Sequence, residues 1–140
     1  MDKARILKLL EDVKRQADFM ERVTAKELDR FLASEEEMYS LRYSVIQAVE
    51  SMASVCVHLM AKAFGISAEG YADCFQRLGD KGVISNELGT RLAAMARLRN
   101  LVVHRYWDVD DARIFVYCRE GVKDLREFVK NVAAFVGGLL

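Results

Sequence analysis

Apolar residues recur at intervals of three and four along most of the chain, which is the period of an amphipathic α-helix. One such stripe spans Ile6–Met20; it follows Asp2, which can cap a helix, and the helix is expected to end near Glu21. A second begins at a capping box over residues 34–37 and stops before Gly65, a residue suited to left-handed helix termination. The pattern therefore predicts two long helices in the first half of the chain.

Two further long helices are predicted in the second half. Ser85 can cap a helix whose apolar period continues to about residues 104–106, and Asp110 can cap the last helix. Gly121 falls on the apolar stripe of that last helix, which predicts a close helix contact or a local bend. The glycines at 137–138 are expected to mark its frayed end.

The connections predict only short elements. Thr24 and Glu27 have the spacing of a capping box for a short helix, and the glycine-containing segment 66–85 predicts one shorter helix around residues 71–78. The whole chain, 1–140, is thus predicted to be a single all-α domain. The expected architecture is an antiparallel bundle of four long helices with short helices in the connections.

Composition fits this fold and limits the function. With 52% hydrophobic residues among 140 and no proline, the chain can bury a core and build uninterrupted helices. The 21 basic and 21 acidic residues cancel, so any site for a polyanion is expected on one local face. Three cysteines without zinc-site spacing predict a reducing, cytoplasmic compartment. No uninterrupted apolar run approaches the roughly 18 residues of a membrane span, so no membrane association is expected.

The candidate local face lies in M-A-R-L-R-N-L-V-V-H-R-Y-W-D, residues 95–108. Four arginines oppose one glutamate between residues 86 and 107: Arg91, Arg97, Arg99 and Arg105 against Glu87. Arg99 offers a planar fork for phosphate oxygens, and His104 can take a proton from a ribose 2′-hydroxyl near neutral pH. With the amide of Asn100 and the phenol of Tyr106, these groups suit a phosphodiester site that needs no metal and no other cofactor.

One straight helix cannot aim Arg99 and His104 at the same atom. At ~100° per residue they lie roughly 140° apart, whereas Asn100 and His104 share a face. Either the helix distorts or ends here, or a second copy supplies the complement across a twofold axis; we favour a homodimer that combines both. A purely structural interpretation also exists, with a histidine at the helix dipole, solvated arginines, and Tyr106 and Trp107 as a core plug.

Two more positions on the second long helix have a structural and a functional interpretation. Glu50 can pair with Arg99, support His104, or be ordinary helix surface. Arg42, with Tyr43 beside it, can be buried packing or part of the same groove.

The remaining chemistry-bearing residues favour structural roles. His58 lies among apolar residues and is interpreted as a core or interface imidazole. Asp108, Asp110 and Asp111 precede a helix, where capping and the helix dipole explain acidic residues, so no metal site is predicted. The cysteines are interpreted as packing residues: Cys56, Cys74 and Cys118.

The string R-N-L-V-V-H-R-Y, residues 99–106, resembles the R-N-x-x-x-H-x-Y signature of the HepT-like proteins, a branch of the HEPN superfamily of helical ribonucleases and RNA-binding domains. The likeness extends to L-R-Y-S-V-I-Q-A-V-E at 41–50, to the excursion at 66–88 and to W-D-V-D at 107–110. It covers nearly the whole chain.

The resemblance implies the toxin of a toxin–antitoxin pair, a homodimeric, metal-independent endoribonuclease whose two motifs line one cleft. By this likeness Arg99 would bind and polarise the scissile phosphate, and His104 would act as general base or acid. Asn100 would orient a neighbour or the RNA. Tyr106 matches a tyrosine that, in some family members, a cognate minimal nucleotidyltransferase antitoxin of the MntA type modifies with AMP.

Arg42, Glu50 and Arg105 complete the set as candidate supporting and RNA-binding residues. An alternative remains open, because helical domains of this superfamily can act as non-catalytic partners of nucleotidyltransferases. The chain would then be an interaction module whose motif binds RNA or a nucleotide without cleaving it.

Overall fold

The computed structural model describes residues 1–138 and contains helices but no strand in that range. The helices are α1 (Lys3–Thr24), α2 (Leu28–Leu32), α3 (Glu35–Phe64), α4 (Tyr71–Asp80), α5 (Asn86–His104) and α6 (Asp111–Gly138). A 3-10 helix, Tyr106–Asp108, lies between α5 and α6. The prediction of an all-α fold with four long helices and short helices in the connections is confirmed.

Side chains cap the four long helices at the predicted positions. Each cap oxygen accepts a hydrogen bond from a backbone N–H of the first turn, which would otherwise lack a partner. The donor–acceptor pairs are Arg5 N to Asp2, Glu37 N to Ser34, Leu88 N to Ser85, and Ala112 N to Asp110. Gly65 ends α3 in the left-handed region at φ +64°, also as predicted.

The connection after α1 differs from the prediction. Helix α1 does not end near Glu21 but continues to Thr24, whose hydroxyl donates to the Met20 carbonyl at 2.7 Å. Thr24 therefore does not cap α2; Glu27 takes that position without a side-chain hydrogen bond. The physical reason is tertiary, because Thr24 is buried and its carbonyl accepts from the Nε–H of Arg119 on α6 at 3.0 Å.

Close contacts at two glycines join the helices that position the candidate site. A Cβ added to Gly89 on α5 would lie 2.9 Å from the Phe75 carbonyl oxygen on α4. A Cβ added to Gly121 on α6 would lie 3.1 Å from Cε of Met95 on α5, so the close contact predicted at Gly121 is confirmed. At the far end, α6 includes residues 137–138, where a frayed end was expected.

Helix α3 crosses the centre of the bundle and supplies much of the core. It contains an 18-residue window of mean hydropathy 1.3, which by length and composition alone could cross a membrane, a result that the sequence analysis did not anticipate. Of that window, 56% is buried inside the bundle, as is usual for the core helix of a globular fold. Cys56 on α3 and Cys74 on α4 are both buried, with their Sγ atoms 2.6 Å apart.

Candidate functional site

The motif lies where α5 ends. His104 is the last residue of the helix, and Arg105 leaves it at φ −137°, ψ 46° while its N–H still donates to the Leu101 carbonyl. The prediction that the helix ends at this segment is confirmed. Beyond it, Tyr106 and Trp107 are 61% and 66% exposed, with their rings edge-to-face and the centroids 5.2 Å apart. These two residues are therefore a surface feature and do not plug the core.

Arg99 points into the bundle and is held by two neighbours. Its Nη2 forms an ion pair with Oε1 of Glu50 on α3, and its Nη1 donates to Oδ1 of Asn100 at 3.1 Å. The side chain is only 20% exposed, and its Nε is buried without a hydrogen-bond partner among residues 1–138. The pairing of Glu50 with Arg99, one of the predicted alternatives, is confirmed.

Tyr71, at the start of α4, belongs to the same cluster and was not predicted. Its hydroxyl donates to Glu50 Oε2 at 2.9 Å, and its ring centroid lies 5.7 Å from Cζ of Arg99. Burial and the contact with Glu50 raise the pKa of the Tyr71 phenol above its ordinary value. The sequence analysis placed this residue only within a short helix, because its partner Glu50 lies 21 positions away and no local pattern connects them.

Arg42 ties α3 to the segment that follows the motif. Its guanidinium grips Asp111 with two hydrogen bonds of 2.8 and 2.6 Å, and its Nη1 donates to the Tyr106 carbonyl at 3.5 Å. The hydrogen bond with Asp111 raises the pKa of Arg42. Arg105 donates to Asp108 at 2.6 Å. Both arginines thus have carboxylate partners, and Arg42 fixes the backbone that carries Tyr106.

These contacts also account for the three aspartates. Asp108 pairs with Arg105, Asp110 caps α6, and Asp111 pairs with Arg42. His58 is only half-buried, and its Nε2 accepts from the backbone N–H of Asp2 at 3.1 Å, so it holds the chain start against α3 and does not lie in the core. Burial raises the pKa of the Cys118 thiol to about 12, in keeping with a packing role.

The basic face that the local sequence predicts is largely neutralised in the fold. Arg91 pairs with Asp124 on α6 at 3.0 Å, Arg99 pairs with Glu50, and Arg105 pairs with Asp108. Among the described residues, Arg97 is the arginine of this stretch without an ion pair. The expectation of a local positive excess is therefore wrong for most of the stretch, because the compensating carboxylates come mainly from other helices.

Arg99 and His104 have different surroundings within one chain. His104 is exposed at the helix end, whereas Arg99 is mostly buried, and no hydrogen bond joins them in residues 1–138. This agrees with the roughly 140° that separates them on an ideal helix. One chain therefore presents a fixed cation and an exposed imidazole on different faces of the end of α5.

Comparisons with known proteins show similarity to one protein family. A model of the family described as Ribonuclease HepT-like matches residues 10–132. One relative, the tRNA nuclease HepT of Aphanizomenon flos-aquae (strain 2012/KM1/D3), is 21% identical over 127 residues, covering 91% of this chain and 86% of the relative.

Two solved structures share the fold at 18% identity. YutE from Bacillus subtilis, a cytosolic protein of unknown function, superposes with a TM-score of 0.86 and covers 100% of this chain and 94% of its own. The tri-AMPylated Shewanella oneidensis HEPN toxin in complex with MNT antitoxin superposes with a TM-score of 0.85, covering 93% and 97%. The bundle and the placement of its helices are thus shared with a known toxin.

Proposed function

Because the chain belongs to the Ribonuclease HepT-like family, we propose that it is a metal-independent endoribonuclease and the toxin of a toxin–antitoxin pair in the cytoplasm. The observation that carries the proposal is the end of α5, where Arg99 is fixed by Glu50 and Asn100 beside the exposed His104. Transfer RNA is the first substrate class to test, since the relative from Aphanizomenon flos-aquae is a tRNA nuclease.

In the proposed reaction the ribose 2′-oxygen attacks the adjacent phosphorus. His104 accepts the 2′-hydroxyl proton, the bond between phosphorus and the 5′-oxygen breaks, and that oxygen leaves with a proton. The products carry a 2′,3′-cyclic phosphate and a 5′-hydroxyl. Arg99 stabilises the negative charge that develops on the phosphate oxygens, which is where a preorganised cation contributes most.

We propose that the active form is a homodimer. On an ideal helix Arg99 and His104 lie roughly 140° apart, so a second copy that brings its own α5 end to the same groove can supply the complementary group. In such a composite site the imidazolium formed at His104 can return its proton to the leaving 5′-oxygen.

The proposed partner that silences the toxin is a minimal nucleotidyltransferase of the MntA type, which would transfer AMP to Tyr106. Tyr106 is 61% exposed and directly follows the motif, so an enzyme can reach its hydroxyl. The added phosphate would bring negative charge to the groove that is proposed to take RNA. This proposal is supported by the similar fold of a tri-AMPylated HEPN toxin bound to MNT antitoxin.

The test is cleavage of a transfer RNA pool by the purified chain in EDTA. Wild type should yield 2′,3′-cyclic phosphate ends, and His104→Ala should reduce the rate by at least about a hundredfold, since a general acid–base residue typically contributes that much. His58→Ala is the matched control, because it removes the chain's other histidine at a site away from the motif. Activity in His104→Ala equal to wild type, or cleavage that EDTA abolishes, would contradict the proposal.

One observation favours the second candidate, a non-catalytic module that partners a nucleotidyltransferase and binds RNA or a nucleotide. Carboxylates neutralise most arginines near the motif, which weakens the attraction of one chain for a phosphate. If unmodified wild type, checked by intact mass, binds transfer RNA without cutting it, this second function replaces the first.

A further inference from the structure

Three side chains form a relay that joins three helices. Tyr71 on α4 donates its hydroxyl hydrogen to one oxygen of Glu50 on α3, and the other oxygen of Glu50 pairs with Arg99 on α5. The Tyr71 ring also lies against the same guanidinium, with 5.7 Å from the ring centroid to Cζ. One carboxylate is therefore fixed by a phenol on one side and fixes a guanidinium on the other.

We infer that Tyr71 is a positioning residue for RNA cleavage, which sets the orientation of Arg99 by holding Glu50. The inference rests on the proposed ribonuclease function. Helix α5 itself gives the Arg99 guanidinium only the contact with Asn100, and the Arg99 Nε has no hydrogen-bond partner in residues 1–138. The direction of the guanidinium thus depends on Glu50, whose 39% exposed side chain turns toward water if Tyr71 releases it.

The backbone on both sides of Tyr71 restricts the position of this residue. Gly70 precedes it at φ +93°, a conformation that favours glycine, and brings the chain into α4 with Tyr71 as the first helical residue. Farther along α4, the backbone of Phe75 touches α5 at Gly89. A tyrosine hydroxyl is protonated, and hence a donor, throughout the neutral range, and burial raises the pKa of Tyr71 further.

The experiment compares Tyr71→Phe with wild type in RNA cleavage. This variant keeps the ring that contacts Arg99 and removes only the hydroxyl. The expected result is a kcat that falls by about tenfold to a hundredfold, the range for a misplaced catalytic group, with KM nearly unchanged. Tyr117→Phe is the matched control, because it removes a hydroxyl that donates only to the Arg91 carbonyl, at 3.4 Å. An unchanged kcat in Tyr71→Phe, or an equal loss in Tyr117→Phe, overturns the inference.

A double-variant cycle separates positioning from general stability. If Tyr71 acts through Glu50, Tyr71→Phe has no further effect on kcat once Glu50→Gln has broken the ion pair. If the two effects on kcat multiply, Tyr71 acts independently of Glu50 and the inference is wrong. Thermal unfolding of each variant shows how much of any kcat change comes from loss of folded protein.

A second readout does not depend on activity. The Nε–H signal of Arg99 in a ¹H–¹⁵N spectrum, identified by its loss in Arg99→Lys, should shift in Tyr71→Phe and in Glu50→Gln but not in Tyr117→Phe. An unshifted signal in Tyr71→Phe refutes the positioning role even if RNA is cut. If the signal shifts but the protein cuts no RNA, the relay from Tyr71 through Glu50 to Arg99 is supported and the ribonuclease function is refuted instead.

Discussion

Arg99 is held by a carboxylate, which is an anion, as is the phosphate that Arg99 is proposed to bind. A guanidinium has five N–H groups, and Glu50 and Asn100 take one each from Nη2 and Nη1, so each of these nitrogens keeps one N–H for a phosphate. The ion pair lowers the net charge around Arg99 and fixes the direction of the remaining donors. The fold thus orients the Arg99 guanidinium but weakens its electrostatic attraction for a phosphate. This suits a group that is needed at the transition state.

Tyr117 provides a test of burial by pH. Burial raises the pKa of its phenol to about 12, against about 10 for an unfolded tyrosine. Between these values the unfolded chain binds fewer protons than the folded one, so the free energy of unfolding should fall as the pH rises through this window. Urea titrations from pH 9 to 12 should show a shallower fall for Tyr117→Phe than for wild type. Equal slopes for Tyr117→Phe and wild type would contradict the burial argument.

The contact of a single residue was predictable from the sequence where that residue differed in polarity from its neighbours on the same helix. Glu50 is an acidic residue near an otherwise apolar stripe, and pairing with Arg99 was one of the alternatives predicted for it. Tyr71 gave no such sign, because an aromatic residue at a helix start is ordinary and its partners come from other helices. The local excess of arginines wrongly predicted a basic face for the same reason. Asp124 and Glu50, which neutralise two of these arginines, are distant from them in sequence.

Among the elements, the contact between α4 and α5 determines where the motif lies relative to Tyr71. Gly89 permits this contact, because any larger residue would press on the Phe75 carbonyl. Gly89→Ala should lower the free energy of unfolding by about 1–3 kcal/mol, as for other overpacked sites. Guanidinium titration would measure the change. Gly137→Ala in α6 is the matched control, because its added Cβ meets nothing within 4 Å, and it should leave stability equal or slightly higher. Equal stability of both variants would contradict the tight contact.

The starts of the four long helices were predictable, whereas the end of α1 and the start of α2 were not. Ser34, Ser85 and Asp110 act through hydrogen bonds within four residues, so the local sequence contains the whole interaction. The end of α1 depends instead on α6, whose Arg119 reaches the Thr24 carbonyl. A capping-box spacing at Thr24 was therefore overridden by a contact between residues that are 95 positions apart.

At the scale of the whole molecule, the separation of Arg99 from His104 makes the proposed assembly testable by mixing subunits. Arg99→Ala and His104→Ala should each be inactive alone. After subunit exchange, half of the dimers are mixed and each has one intact composite site, so about a quarter of wild-type cleavage should return. Mass spectrometry of tagged subunits confirms exchange. If exchanged mixtures stay inactive, both groups of a site come from the same copy.

Trp107 is the only tryptophan in the chain, and the fold leaves it 66% exposed directly beside Tyr106. The molecule therefore carries a single indole fluorophore, at the edge of its candidate site. RNA, an adenylyl group on the neighbouring ring or a second subunit could each cover this edge. Each would move the indole out of water and shift the wavelength of its emission maximum. Each event at the motif can thus be followed by light from the unlabelled protein.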